Sequence, residues 1–368
     1  MRLLFLIDQI HLHGGAEKIL SQKINCLIKI YNYDIYLLTN EQKNKDFVYF
    51  LEPNLRWKDL RINYYRELSY FHPLNLLKSF AHYFKLKNEI KKINPDIIIS
   101  VSFTPEQYFL PFIAKHIPKV KEFHSSGVTI KKPSSSIEKA KHRLFLMFNH
   151  YDALVVLNED EKQYYPFKKL AVIPNFIHIE ENQTIFTKEK TILAAGRIAA
   201  VKQFDHLIKA WALIANDFPE WQVKIFGEGN QNLIQELKTL ITDLKVPNIK
   251  LMGATNNLQQ EMQKAAVYAM TSATECFPMV LLEAQAAGMA LISYDCPNGP
   301  RNIITHNIDG VLTPHNEIAI FADKLSTLMT NETLRSVMGY NAKQGVNIFA
   351  QARVMQQWND LFVKLNRN

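Results

Sequence analysis

Along the chain, short runs of consecutive apolar and β-branched residues alternate with longer stretches in which apolar positions recur every three or four residues. The short runs, bounded by turn residues, predict strands, and the three-to-four spacing predicts helices. Their alternation from end to end predicts an α/β protein with parallel sheets. In the first half the expected strands are Leu3–Ile7, Asp34–Leu38, Ile97–Val101, a short one ending near Phe123, Ala153–Leu157 and Leu170–Ile173. In the second half they are Thr191–Ala195, Gln222–Phe226, Ile249–Met252, Val267–Thr271 and Ala290–Ser293. Two βαβ series in tandem predict two doubly wound domains, with an eight-stranded barrel as the competing topology. Pro174-Asn175 and the stretch Glu180–Lys190, charged and without apolar periodicity, read as a linker and argue against the barrel. The expected division is 1–178, then 179–349, then a closing segment 350–368, in which Ala350–Leu365 has the pattern of an amphipathic helix.

One helical stretch carries two readings. Leu74–Ile93 places Leu76, Leu77, Phe80, Tyr83, Phe84 and Ile90 at the spacing of one face, with Lys78, Lys85, Lys87, Lys91 and Lys92 elsewhere. The ordinary expectation is a crossover helix packing on the sheet before strand Ile97–Val101, with its lysines solvated. A basic helix with an aromatic stripe is also built to lie in a membrane interface.

Composition narrows the class without naming it. With 47% hydrophobic and 21% charged residues among 368, the chain is neither disordered nor fibrous. Cys26, Cys276 and Cys296 are too scattered for a disulfide framework or a zinc ribbon, so a reduced, cytoplasmic setting is expected. The opening apolar run is cut short by Asp8, and no stretch approaches the ~18 apolar residues of a membrane span, so neither secretion nor a transmembrane helix is expected. Charge is unevenly divided: residues 1–178 hold 26 basic and 17 acidic side chains, and the remainder holds 17 and 18. The first half should therefore meet an anionic partner.

The residues with chemical potential stand where expected strands give way to helices. Gly14-Gly15-Ala16-Glu17 follows the first strand, and a helix N-terminus behind glycines offers N–H groups to an anion. It is not a dinucleotide fingerprint, and no acidic residue ends the second strand where a ribose-binding one would stand, which disfavours a dehydrogenase. Gly196-Arg197 and Lys202 put two cations on one strand-to-helix loop, suited to a diphosphate. Gly227-Glu228-Gly229 is a second glycine turn after a strand, compatible with a nucleoside lying over it. In Glu275-Cys276-Phe277-Pro278-Met279-Val280, Pro278 suits the first helical position, leaving the Met279 and Val280 N–H groups for a phosphate. Glu275 and Glu283 then suit two hydroxyl clusters, a sugar and a ribose. Taken singly, each of these is an ordinary turn, surface pair or helix start. Asn158–Glu161 has the spacing of a helix capping box rather than a metal motif.

Taken together, Gly14-Gly15-Ala16-Glu17, Pro174-Asn175, Gly196-Arg197 with Lys202, Gly227-x-Gly229, Gly253, the Glu275 and Glu283 pair and Asp309-Gly310 resemble the retaining glycosyltransferases of family 4 over essentially the whole chain. The run Asp295–Ile304 is similar to the branch that assembles bacterial surface polysaccharide, lipopolysaccharide and lipid-linked oligosaccharides. The resemblance implies the GT-B fold: two Rossmann-like domains facing a cleft, with a last helix crossing back to the first. It implies transfer of a hexose or N-acetylhexosamine from a nucleotide sugar, most often a UDP-sugar, to a saccharide or lipid-linked saccharide. A nucleotide-sugar epimerase of the same fold and a non-catalytic polyanion-binding protein are the alternatives.

By the same resemblance, Arg197 and Lys202 neutralise the donor diphosphate, Glu283 takes the ribose hydroxyls, and Glu275 with Phe277-Pro278-Met279-Val280 holds the donor sugar. Gly227 and Gly253 complete the nucleotide-sugar pocket, Gly15 approaches from the first domain, and His124 stands near the transferred sugar. Two positions depart from the family pattern: Cys276 and Gln203 stand where Gly is frequent. No two aspartates lie two positions apart, so no Asp-x-Asp metal clamp is present, and neither a metal nor any cofactor beyond the UDP-sugar substrate is expected. The expected partners are the nucleotide sugar, an anionic saccharide or lipid-diphosphate-linked acceptor, and an anionic membrane on its inner face, with no nucleic acid.

Overall fold

In the computed structural model, residues 1–129, 143–179 and 187–367 are described. They form two compact units, Met1–Pro174 with the segment from Ala352 onward, and Asn175–Gln351. The expected linker Glu180–Lys190 lies, over residues 180–186, outside the described residues.

The first unit is built on a seven-stranded sheet of order β3-β2-β1-β4-β5-β6-β7. Its strands are β1 (Arg2–Ile7), β2 (Asp34–Thr39), β3 (Arg56–Asp59), β4 (Ile97–Ser100), β5 (Lys119–Glu122), β6 (Ala153–Val156) and β7 (Leu170–Val172), and every pairing is parallel. The central strands are buried on both faces, with Leu3–Phe5 and Ile97–Ile99 fully enclosed, and so they read as continuous apolar runs. Helices α1 (Gly15–Lys29), α2 (Pro73–Ile93) and the single turn α3 (Glu106–Phe109) make crossovers.

The second unit has a six-stranded sheet of order β10-β9-β8-β11-β12-β13, again wholly parallel. Its strands are β8 (Glu189–Ala195), β9 (Gln222–Phe226), β10 (Ile249–Gly253), β11 (Ala265–Met270), β12 (Ala290–Tyr294) and β13 (Gly310–Thr313). Helices α4 (Phe204–Ile214), α5 (Gln231–Asp243), α6 (Leu258–Lys264), α7 (Met279–Ala286), α8 (Ile318–Thr330) and α9 (Glu332–Gly345) alternate with them. Trp211, Trp221, Tyr294 and Phe321 anchor the core where α4 and α8 cover the sheet. Both orders reverse direction beside the first strand of the unit, the switch point where doubly wound sheets take ligands.

The closing helix α10 (Gln351–Asn366) belongs, from Ala352, to the first unit. Val354, Met355, Trp358 and Phe362 form its buried stripe, and Tyr33 Oη donates to Asn359 Oδ1 at 2.5 Å.

Two strands escaped the hydrophobic pattern. β3 is a sheet edge whose Arg56, Trp57 and Lys58 are exposed, so no apolar alternation marks it. β13 is four residues long and starts on Gly310, where a Cβ would stand 2.8 Å from Leu291 Cβ. The Asp309-Gly310 pair is thereby a packing device, since Asp309 Oδ1 also accepts the Thr305 N–H at 2.7 Å.

As expected, α2 is a crossover helix packed into the core of the first unit, with Ile90 of the stripe buried and Tyr83 packed against it, but most of the stripe stays outside. The helix packs through Asn75, His82, Leu86, Ile90 and Ile93, while Leu76, Leu77, Phe80 and Phe84 are exposed. Tyr64 Oη and His82 Nδ1 lie 3.1 Å apart on the buried side, and burial lowers His82 to about 3, so it is a neutral core histidine.

Candidate functional site

The loops leaving the carboxyl ends of β8 to β12 are stitched together by their backbones. Gly196 N–H donates to Phe226 O at 3.0 Å, Gly227 N–H to Gly253 O at 2.8 Å, and Ile198 N–H to Glu228 O at 2.8 Å. On the other side, Ala273 N–H donates to Val201 O at 2.7 Å, and Thr271 Oγ1 to Gln203 O at 2.9 Å. The two glycines of the β9 turn serve this contact. A Cβ on Gly227 would lie 1.9 Å from Gly196 O, and one on Gly229 would lie 2.1 Å from Ile198 O. Gly253, at φ +75°, has open space where its Cβ would be.

Lys202 and Glu275, 73 positions apart, meet here. Lys202 Nζ lies 2.6 Å from Glu275 Oε1, with the two side chains 21% and 14% exposed. The lysine ends a short 3-10 turn (Ala200–Lys202), and its stem passes over Gly196, where a Cβ would be 3.3 Å from Lys202 Cε. Arg197, on the same loop, is exposed and makes no hydrogen bond or ion pair among the described residues. Gln203 follows at φ +46°, a left-handed conformation that explains why glycine suits this position.

Glu275 sits in the β11–α7 loop, bridged to Asn298 in the β12 loop. Gly299 permits that approach, because a Cβ there would fall 2.6 Å from Glu275 Cβ and 2.9 Å from Pro278 Cδ. The β12 loop is itself clamped by Arg301, whose Nε and Nη2 donate to the Asp295 carboxylate at 2.9 and 2.7 Å. Pro278 occupies the N-cap of α7 rather than its first turn, one residue earlier than expected. The first-turn amides of Met279 and Val280 have no carbonyl within the helix to receive them. Glu283 is half-buried on α7. Phe277 is buried edge-on against Phe349, ring centroids 5.5 Å apart, so its ring is a packing anchor and only its backbone can face a ligand. The Cys276 thiol is buried as well, and burial pushes the Cys296 thiol up to about 12.

Sequence reasoning missed Ser272 and Thr274. Their hydroxyl oxygens are buried without a partner among the described residues, just before Glu275 on the same loop. The polar run Thr271-Ser272-Ala273-Thr274 directly after an apolar strand was the available signal. The site thus combines two cations, a carboxylate, spare hydroxyls and a helix N-terminus at the carboxyl edge of a parallel sheet. This donor set suits a polyhydroxylated anion.

The first unit holds the other two expected residues. Gly15 opens α1 behind the N-cap Gly14, and nothing would obstruct a Cβ on it. Glu17, in the same turn, accepts from Gln9 Nε2 at 2.6 Å. His124 follows β5, and its Nε2 lies 3.0 Å from Glu122 Oε2. Glu122 Oε2 also accepts from Lys23 Nζ at 2.6 Å, and that ammonium lies 3.6 Å from the centre of the Trp358 ring. Burial alone would raise the Glu122 carboxyl, but Lys23 and His124 outweigh it and hold it down at about 2. An ionised Glu122 can only accept, so His124 Nε2 is the donor in this contact.

A partly buried polar cluster that the sequence did not announce closes the same end of this sheet. Asp8 accepts from Ser102 and Arg66, Arg66 Nε reaches Glu41 Oε1 at 2.8 Å, and Glu106 accepts from Thr104. Burial, helped by Asp8, raises the Glu106 carboxyl, and burial lowers the Lys121 ammonium that donates to Ser102 O. Glu41 stands two residues past β2, but Arg66 occupies its carboxylate. The expected Asn158 cap is present, with Glu161 N–H donating to Asn158 Oδ1 at 2.9 Å, while the Glu161 carboxylate turns away to Gly127 N–H.

Residues 13–181 match the family described as Glycosyltransferase Family 4, and residues 176–345 match Glycosyl transferases group 1. An exopolysaccharide phosphotransferase of Streptomyces coelicolor is 32% identical over 76% of this chain, which spans 30% of that relative's length. A Campylobacter jejuni α-1,4-N-acetyl-D-galactosaminyltransferase acting on a diphospho-undecaprenol-linked saccharide is 26% identical, with 99% of each chain covered. Among solved structures, Anabaena HepE in complex with UDP superposes at a TM-score of 0.76 and 17% identity, covering 99% of this chain and 100% of that one. The two family matches meet at the boundary between the units and together take in nearly the whole chain; it belongs to the family 4 glycosyltransferases, with the two Rossmann-like domains of the GT-B fold.

Proposed function

We propose that the protein is a retaining, metal-independent hexosyltransferase that moves a hexose or N-acetylhexosamine from a UDP-sugar to a saccharide or lipid-linked saccharide during surface-glycan assembly. The observation that carries this is the Lys202–Glu275 pair at 2.6 Å, set beside Arg197 and the amino end of α7. Arg197 and Lys202 receive the diphosphate, joined by the Met279 and Val280 amides. Glu275, with the loop through Pro278, accepts from hydroxyls of the donor sugar, and Glu283 accepts from the ribose. Gly227 and Gly253 leave the nucleoside its place at the loop surface.

In the step itself, the bond from the anomeric carbon to the diphosphate oxygen breaks, and its electron pair goes to that oxygen. The acceptor hydroxyl attacks from the same face, and its proton passes to the departing phosphate oxygen. Cations fixed on the diphosphate stabilise the charge as it develops, which is where electrostatic preorganisation counts most. Gly15 and His124 are assigned to acceptor and sugar contacts from the family resemblance alone. The basic first unit fits an anionic acceptor, a lipid diphosphate or phosphorylated saccharide, and an anionic membrane surface.

Calorimetry with a panel of nucleotides and UDP-sugars, followed by product analysis with lipid-linked acceptors, tests this function. UDP-sugar consumption should require acceptor, and the product linkage should keep the donor's anomeric configuration. Donor turnover without acceptor, or an inverted linkage, would refute it.

A further inference from the structure

The face of α2 that carries its largest apolar side chains is packed against no element among the described residues. Leu76 is 50% exposed, Leu77 70%, Phe80 68% and Phe84 47%, all outside the packed side that holds His82, Leu86 and Ile90. Phe80 and Phe84 touch each other, ring centroids 4.9 Å apart, forming one continuous apolar surface. Toward the carboxyl end the same face carries Lys87 and Lys91, which are exposed and make no ion pair or hydrogen bond among the described residues. The other lysines of the helix are occupied: Lys78 donates to Asn63 O, Lys85 to Leu60 O at 2.8 Å, and Lys92 to Glu89 at 3.0 Å.

We propose that α2 docks the protein on an anionic lipid bilayer, with Leu76, Leu77, Phe80 and Phe84 entering the interface and Lys87 and Lys91 contacting headgroup phosphates. An apolar stripe that continues into unpaired cations on one helix face matches the layering of a bilayer surface, acyl chains below and anionic headgroups beside them. The stripe runs about 12 Å along the helix, at ~1.5 Å per residue, which suits a helix lying in the interface rather than crossing it. No helix among the described residues is long and apolar enough to cross a membrane. The proposal gives a site to the membrane contact assigned above, and it does not depend on the donor chemistry of the second unit.

Vesicle co-sedimentation of the whole chain tests it, with phosphatidylcholine vesicles compared with vesicles that also contain phosphatidylglycerol. The wild type should prefer the anionic vesicles at low salt. Leu77→Ser with Phe80→Ser should weaken binding at least about tenfold. Lys87→Gln with Lys91→Gln should remove the preference for phosphatidylglycerol, at roughly fivefold per lysine, while Lys92→Gln should leave it nearly intact. UDP binding by calorimetry should be unchanged in every variant, which separates loss of docking from loss of fold or of donor site. Equal binding to both vesicle types by the wild type, or serine variants that bind as it does, would overturn the proposal. So would a wild-type dimer in sedimentation equilibrium that Leu77→Ser with Phe80→Ser dissolves, because the face would then serve a second copy of the chain.

Discussion

Lys202→Ala is the most direct probe of the donor site, and its size can be worked from the geometry. The ammonium already has a counter-charge within the protein, with Nζ 2.6 Å from Glu275 Oε1. At an effective dielectric near 20, unit charges 4 Å apart attract by about 4 kcal/mol before desolvation is subtracted. A diphosphate must therefore draw the lysine away or share it, and the net gain is that of a charge-assisted contact, about 1.5–3 kcal/mol. Lys202→Ala should weaken UDP roughly tenfold to a hundredfold. Glu275→Gln should act in the opposite sense on UDP, because it releases Lys202 and removes a negative charge from beside the phosphates. UDP should bind at least as tightly, while turnover of the UDP-sugar falls with the lost acceptor of sugar hydroxyl protons. In the double variant, Lys202→Ala should cost about 1 kcal/mol less than in the wild type, because no unpaired carboxylate is left to repel the ligand. Calorimetric titration of the four proteins reads all three quantities. The scheme is refuted if Lys202→Ala keeps its UDP affinity within about twofold, or if Glu275→Gln weakens UDP as much as Lys202→Ala does.

Gln203→Gly should stabilise the protein by about 1 kcal/mol and raise the second unit's melting temperature by roughly 2–4 °C, because φ +46° strains a side-chain-bearing residue; an unchanged or lower value in calorimetry would show that the bond from Gln203 Nε2 to Asn316 outweighs the strain. Gly227→Ala should cost about 3 kcal/mol and weaken UDP, because its Cβ would stand 1.9 Å from Gly196 O, whereas Gly253→Ala meets open space and should cost about 1 kcal/mol through φ alone. Chemical denaturation distinguishes the two, and equal losses would be the wrong result. Glu122→Gln leaves the Lys23 ammonium buried and should cost about 3–5 kcal/mol, most of it recovered by adding Lys23→Met. Because the Glu122 carboxyl is depressed, its contribution is complete above its ordinary value near 4.5 and is lost as pH falls toward about 2. Denaturation of the double variant should lack that acid-side loss. Burial pulls the Lys23 ammonium down at the same time, so the pair is worth less than the Glu122 displacement alone.

The parts of the fold legible in the sequence are those whose burial leaves a one-dimensional trace. β1, β4, β12 and, from Thr191, β8 are enclosed on both faces, and an enclosed parallel strand reads as a near-continuous apolar run. β3 leaves no such trace: it is an edge held by main-chain bonds to β2, and Arg56-Trp57-Lys58 carries no apolar alternation. The same division runs through the site. Arg197, Lys202 and Glu275 could be named because they stand at strand ends in a recognisable order. The 2.6 Å contact between Lys202 and Glu275 could not, since it depends on how the β8 and β11 loops approach across the sheet. Nor could Glu122, Lys23 and Trp358 be linked to His124, because that chain joins α1, β5 and α10 through the interior.

The α2 helix shows what periodicity leaves open, namely which of two faces the core takes. Periodicity states that Leu76, Leu77, Phe80 and Phe84 share a face, and the usual inference is that a shared apolar face is buried. The sheet instead takes the face holding Asn75, His82, Leu86 and Ile90, where three hydrogen bonds from Asn75 Nδ2 to the carbonyls of Tyr65, Leu68 and Ser69 secure the turn before the helix. Two polar side chains therefore lie in the packed face, and the richer apolar face points outward. A helix with one apolar face needs one partner. This one has two candidate faces, and the interior claimed the face whose polar groups it could satisfy. The outward stripe needs no hydrogen-bonding partner, so its exposure costs nothing in unsatisfied polar groups and it can be buried by a surface as undirected as lipid. That asymmetry favours a bilayer over a protein groove. It also means that serine at Leu77 and Phe80 should leave the stability of the first unit within about 0.5 kcal/mol, as expected for surface changes away from caps and networks. A loss of several kcal/mol in denaturation would place these side chains inside the protein's own packing and remove the basis for docking.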